Sequence, residues 1–128
     1  MAYEGAQLKL GNLTAAADLS AKQYHFVKLA SATTVNVCTA ITDVPIGVLQ
    51  NTPTSGQAAE ICIFGITKVV ADGNLTAGNI IGTSNDSQAD AIARGTDTTV
   101  TIMGQAIEAG AAGETVTMFL NPSNALAK

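Results

Sequence analysis

Apolar side chains recur at every second position in a series of short runs, and glycine, asparagine, aspartate or serine separates one run from the next. Alternation with period two puts successive side chains on opposite faces of an extended strand, whereas a helix needs a spacing near 3.6. The runs Tyr24 to Leu29, Thr33 to Thr39, Ile46 to Leu49, Ala59 to Phe64, Ile66 to Val70, Val100 to Ile102 with an extension to Gly104, and Val116 to Leu120 all read as strands. Pro45 suits the first position of a strand, and Gly65 permits a bend between two of them. Leu13 to Ala21 is alanine-rich but shows no amphipathic stripe. Ile102, Ala106 and Ala109 fall at helical spacing, yet β-branched residues crowd Thr98 to Ile102 and favour strand there. Many short strands with turn signals at near-regular spacing predict an all-β fold, a compact β-barrel or β-sandwich. Because the strand pattern begins near Gln23, residues 1–22 are expected to form an extended N-terminal segment and residues 23–128 the barrel or sandwich domain.

The chain also echoes itself. Gly47 to Ile63 (GVLQNTPTSGQAAEICI) aligns without a gap on Gly104 to Leu120 (GQAIEAGAAGETVTMFL). Gly47 meets Gly104, Gly56 meets Gly113, and the apolar series Ala59, Ile61, Ile63 falls on Val116, Met118, Leu120. Each copy reads as strand, glycine turn, strand. Two copies are too few for a solenoid, so two similar hairpin units in one domain are expected.

Composition narrows the function. The 128 residues are 47% hydrophobic and only 12% charged, the reverse of the balance that keeps a chain disordered. No stretch approaches 18 consecutive apolar residues, so none reads as a bilayer-spanning helix, and no membrane partner is expected. The first twenty residues lack the basic start and apolar run of a secretory signal. Six Lys and Arg within a net charge of -4 argue against nucleic-acid binding through phosphates. The 22 Ala, 16 Thr and 12 Gly far outnumber 3 Phe, 2 Tyr and no Trp, which predicts a thin core and a surface covered in part by something else.

Residues able to carry chemistry are few. His25 is the only histidine and sits in an apolar strand with no catalytic motif nearby, so it reads as a hydrogen-bonded strand histidine. Cys38 and Cys62 lie on strands and are expected to be reduced, buried thiols. Together with one histidine they are too few for a four-ligand zinc cage. Asp86 and Asp90 sit in a polar stretch, Thr83 to Asp90, that lacks the calcium-loop glycine and terminal glutamate, and a solvated hairpin loop is expected there. Gly73 to Gly82 has neither phosphate-loop nor dinucleotide spacing, so its glycines read as turn residues. No enzyme, cofactor or metal site is expected.

The order of segments resembles the small capsid decoration, or head cement, proteins of tailed bacteriophages. The similar elements are PIGVL at Pro45 to Leu49, GQAAEI at Gly56 to Ile61, GITKVV at Gly65 to Val70, LTAGNIIG at Leu75 to Gly82, and MGQAIEAGAAGETVTMFL at Met103 to Leu120. The resemblance spans Gln23 to Leu120. It implies a protein on the outer surface of the virion capsid that contacts the major capsid protein, forms a homotrimer and stabilises the head by bridging capsomers. The segment ahead of it, with Ala6, Gln7, Leu8, Lys9 and Leu10, has strand character and is the expected capsid contact, by addition to a capsid-protein sheet. The alternative is a biotinyl/lipoyl-type carrier module built from two similar halves, with Lys68 as the modified residue.

Overall fold

The computed structural model describes residues 2–123, 125 and 126. Among these, nine strands form and no helix: β1 (Gln7–Ala15), β2 (Phe26–Leu29), β3 (Thr34–Val37), β4 (Gly47–Leu49), β5 (Ala58–Val70), β6 (Ile80–Thr83), β7 (Ala89–Ala91), β8 (Gly104–Ala106) and β9 (Thr115–Leu120). They hydrogen-bond in the order β1-β3-β2-β4-β5-β9-β8-β6-β7, and β1 also pairs with β5. That extra pairing closes β1-β3-β2-β4-β5 into a ring. A parallel bridge from Ala71, one residue past β5, to Ala89 in β7 closes β5-β9-β8-β6-β7 into a second ring. The fold is therefore all-β, two five-stranded barrels that share β5.

Sharing a strand requires it to change partners part-way. β5 is 13 residues long; its first half pairs with β1 and β4, its second half with β9. The change falls at Gly65, where φ is 123°, a conformation that L side chains rarely adopt. A Cβ at this position would also collide with the Ala6 carbonyl oxygen, because β1 begins beside the bend.

The two barrels repeat the same strand pairings, except that β1 bulges against β5 where β5 pairs evenly with β9. In the first, Val27 pairs with Val37, Lys28 with Asn36 and Leu29 with Val35; in the second, Ile81 pairs with Ala91, Gly82 with Asp90 and Thr83 with Ala89. Val48 lies opposite Cys62 and Leu49 opposite Ile61, as Gln105 lies opposite Phe119 and Ala106 opposite Met118. The parallel contact Ala15–Val35 recurs as Ala71–Ala89. In the turns, Gly56 and Gly113 share a φ of 84°, and their amides donate to Ala15 and Ala71. The echo of two hairpins is thus part of a duplication of the whole barrel.

The interiors match as well. The first barrel is filled by Leu13, Ala15, Leu19, Val27, Val35, Leu49, Ala59 and Ile61, and their equivalents Val69, Ala71, Leu75, Ile81, Ala89, Ala106, Val116 and Met118 fill the second. Alanine at two of these positions in the first barrel and three in the second suits a ring of five strands, whose bore is too narrow for a large side chain from every strand. A further set, Phe26, Cys38, Val48 and Cys62, points out of the first barrel and is still buried, within the same cluster as the second barrel's interior. Neighbouring residues along β2, β4 and β5 are consequently both buried, one inside a barrel and the next between barrels.

Two expectations change. The run from Val100 towards Gly104 is not a strand; β8 starts only at Gly104, and the helical spacing after Ile102 comes to nothing. The N-terminal residues do not stand apart from the rest: β1 is extended, but it is a stave of the first barrel and carries Leu13 and Ala15 into its core. The strand character read at Ala6 to Leu10 is real from Gln7 onward, but register irregularities at Leu8/Lys9 and Leu10/Leu13 break the alternation and hid the continuation of the strand to Ala15.

Removing residues 2–13 should accordingly abolish cooperative unfolding in urea instead of leaving an intact domain. Gly65→Ala should lower stability by more than about 1 kcal/mol, seen as a lower urea midpoint at unchanged slope. Gly11→Ala, where no atom lies within 4 Å of the added Cβ, should stay within about 0.5 kcal/mol of the parent.

Candidate interaction surface

Four of the five candidate contact residues lie on the first half of β1. Gln7, Leu8, Lys9 and Leu10 pair with Gly65, Phe64, Cys62 and Ile61, so one edge of this stretch is already occupied by β5. β3 accompanies β1 only at Thr14 and Ala15, so among the described residues the opposite edge of the stretch has no partner strand. Ala6 precedes the strand, and its carbonyl accepts from the Ile66 amide. Leu8 is 59% exposed, whereas Leu10 packs against the first barrel's core, so the two leucines do not form a common outward face. Lys9 reaches Glu60 on β5 at 2.7 Å, a surface pair that holds its ammonium in the charged form.

Two grooves flank the chain where it leaves β9, the first of them predominantly apolar. One, of about 650 Å³, opens at the end of the first barrel and is lined by Leu29, Val44, Ile46, Ile63, Phe64 and Pro122, with Lys28 beside it. Lys28 is tied to Asp43 at 2.9 Å, so its charge is turned to a partner in the same chain. The other, of about 250 Å³, lies on the second barrel and is mixed: Ile80, Ile102 and Phe119 line it together with Arg94, Gln105, Asn121 and Ser123. Phe64 of the first groove meets Phe119 of the second edge to face, with ring centroids 5.6 Å apart. Leu29, Val44 and Phe64 are each about half exposed, an unusual cost in a chain with so few large apolar side chains. Their exposure escaped the sequence reading because Leu29 ends β2, Val44 lies in a loop and Phe64 sits beside the bend of β5, where alternation carries no information about exposure.

The chemistry-bearing residues are built into structure. His25 Nδ1 lies 2.7 Å from Ser87 Oγ. The Ser87 hydroxyl donates to the Asp86 carbonyl, so the imidazole N–H must donate to the serine, the opposite polarity from a base activating a nucleophile. Burial, then the charge of Lys22, lowers the His25 pKa. The hairpin between β6 and β7 forms as expected but is not simply solvated, since Ser84 and Ser87 are buried against the first barrel. Asp86 and Asp90 stay exposed on it; partial burial, then Asp72, raises the Asp90 pKa. Among the described residues, no three His, Cys, Asp or Glu side chains converge as a metal site would require. Cys38 and Cys62 are free and buried, and desolvation pushes the Cys38 thiol up to about 12. Lys68 lies mid-strand opposite Thr117, with its ammonium 5.7 Å from the Tyr24 ring, and not at the hairpin tip that a carrier lysine needs.

No family model matches the chain, and no curated protein sequence does. Among solved structures, the chain is similar to the crystal structure of head fiber gp8.5 N base in bacteriophage phi29, with a TM-score of 0.66 at 16% identity. The match covers 96% of this chain and 99% of that one, so it takes in both barrels and not one alone.

The depressed His25 pKa carries a sign. The unfolded chain binds a proton near pH 6.5 while the folded chain resists it, so stability is complete above 6.5 and falls as pH drops towards the lower folded value. His25→Asn, which installs the residue found at the equivalent Asn79, should flatten the difference in urea midpoint between pH 7.5 and 5. Separately, alkylation by iodoacetamide at pH 8 should label neither cysteine until the protein is unfolded, because the thiolate is the reactive species.

Proposed function

We propose that this chain is a structural protein of a phage head, bound to the outer surface of the assembled capsid and without catalytic activity. The observation that carries the reading is the likeness, over nearly the full length of both chains, to a head fiber base of bacteriophage phi29. The order of sequence motifs resembling head cement proteins agrees with it independently of the coordinates. The site adds physical reasons. The larger groove is open and apolar, His25 is occupied in a hydrogen bond to Ser87, and one edge of β1 offers unpaired main-chain groups next to an exposed leucine.

In this reading the partner is the major capsid protein, the assembly is a trimer, and each copy bridges neighbouring capsomers. Binding only the assembled shell stabilises that state by mass action, and repeated weak contacts over a lattice sum to firm attachment. Strand addition at β1 would take its affinity from main-chain hydrogen bonds, at about 0.5–1.5 kcal/mol net each, with Leu8 as an apolar anchor. Because β1 also closes the first barrel, attachment would use its outer edge while the inner edge stays on β5.

The test is saturable binding of the purified chain to phage heads that lack it. Leu8→Asp removes an exposed anchor without entering the core, so the urea midpoint should hold within about 0.5 kcal/mol. Head binding should weaken about 10- to 100-fold, the loss expected for a leucine buried on docking. Unchanged binding by this variant would move the contact away from β1; failure of the parent to bind any head would remove the capsid role.

A further inference from the structure

The duplication shows what each uncovered surface is built to meet. Inside the chain, outward side chains of the first barrel, Phe26, Val48 and Cys62, are fully buried in one cluster with Met103 and Leu120 of the second barrel. Polar contacts accompany them: His25 with Ser87, Gln50 with Thr67, and the Cys38 thiol with Thr83. Thr83, Met103 and Leu120 surround one opening of the second barrel, and the first barrel stands over it.

Each half of this contact has an unpartnered twin. The equivalents of Thr83, Met103 and Leu120 are Leu29, Ile46 and Ile63, which line the open groove of the first barrel. The equivalents of Phe26, Val48 and Cys62 are Ile80, Gln105 and Phe119, which line the groove of the second. One molecule therefore displays, uncovered, the positional equivalents of both surfaces that meet within it.

We propose that a second copy of this chain docks head to tail, the Ile80–Gln105–Phe119 face of one copy covering the Leu29–Ile46–Ile63 opening of the next. The occupant follows from continuity with the internal interface: the surface known to cover such an opening is the outward face of another such barrel. The contact is heterologous, so it either runs on as a filament or closes into a ring. Two surfaces on opposite poles favour an open filament. Here they adjoin, with Phe64 touching Phe119 across their shared rim, and adjoining surfaces close after a few copies. Three copies would place six equivalent barrels round one axis. That number rests on the trimer proposed above, whereas the pairing of surfaces rests on the duplication alone.

The experiment uses the full chain without phage heads, so it can fail while capsid binding stands, and the reverse. Native mass spectrometry at about 100 µM, where a micromolar contact is largely saturated, should show a trimer. Ile80→Glu spoils only the face and Leu29→Glu only the opening, so each variant should be a folded monomer by circular dichroism and mass. Mixed in equal amounts, they should form a heterodimer and nothing larger, because each supplies the one surface that the other has lost. Should Ile80→Glu fail to fold, Gln105→Arg at an exposed position of the same face takes its place. A monomeric parent, trimers that survive both substitutions, or variants that stay monomeric on mixing would each overturn the proposal.

Discussion

β5 belongs to two barrels at once, and most of the structure follows from that. Its first half is the last strand of one ring and its second half the first strand of the other, so neither ring can close without it. The bend at Gly65 sets the second barrel's opening against the outside of the first. A shared strand also means shared stability: opening either barrel strips hydrogen-bond partners from β5 and exposes the cluster between them. The two halves are expected to unfold as one cooperative unit despite having separate interiors.

Small side chains suit this arrangement. A core divided between two narrow bores and one interface gives no site where a tryptophan would fit, and alanine inside the rings lets five strands close without crowding. Apolar burial is spread over many small contributions, and the double-sided burial of β2, β4 and β5 recovers area that a single barrel of this length would leave in water.

The strands β2, β4, β5 and β9 were legible in the sequence because alternation there is clean and both faces are apolar, although β5 reads as two runs split at Gly65 and the run from Tyr24 starts two residues ahead of β2, with Tyr24 at a φ of 65°. The hairpin echo was legible because β4–β5 and β8–β9 are joined by turns of equal length, which keeps the alignment free of gaps. The rest of the duplication was not. Between β1 and β4 the two copies differ in length, and the matching residues, such as Val35 with Ala89 or His25 with Asn79, share position but not type. β1 was set apart from the domain because its bulges break the alternation, and the candidate contact at residues 6–10 was read from the same stretch without sight of its pairing to β5. The grooves had no sequence signal at all. Their residues become a surface only when Leu29, Val44, Phe64 and Pro122, far apart in the chain, are brought to one opening.

The internal and the open versions of the barrel contact differ in chemistry. At the covered opening stand Thr83, Ser84, Ser87 and Thr101; the equivalent positions of the uncovered one hold Leu29, Ala30, Thr33 and Val44. β5 ties the two barrels of one chain together, so their contact forms at a very high local concentration and needs little affinity of its own. Such a joint can surround its buried apolar centre with hydroxyls and an imidazole, which fix orientation more than they attract. The uncovered opening has no tether, and its side chains are the greasier set: a surface that must recruit whatever covers it from solution, where the covered one had only to receive a neighbour already attached.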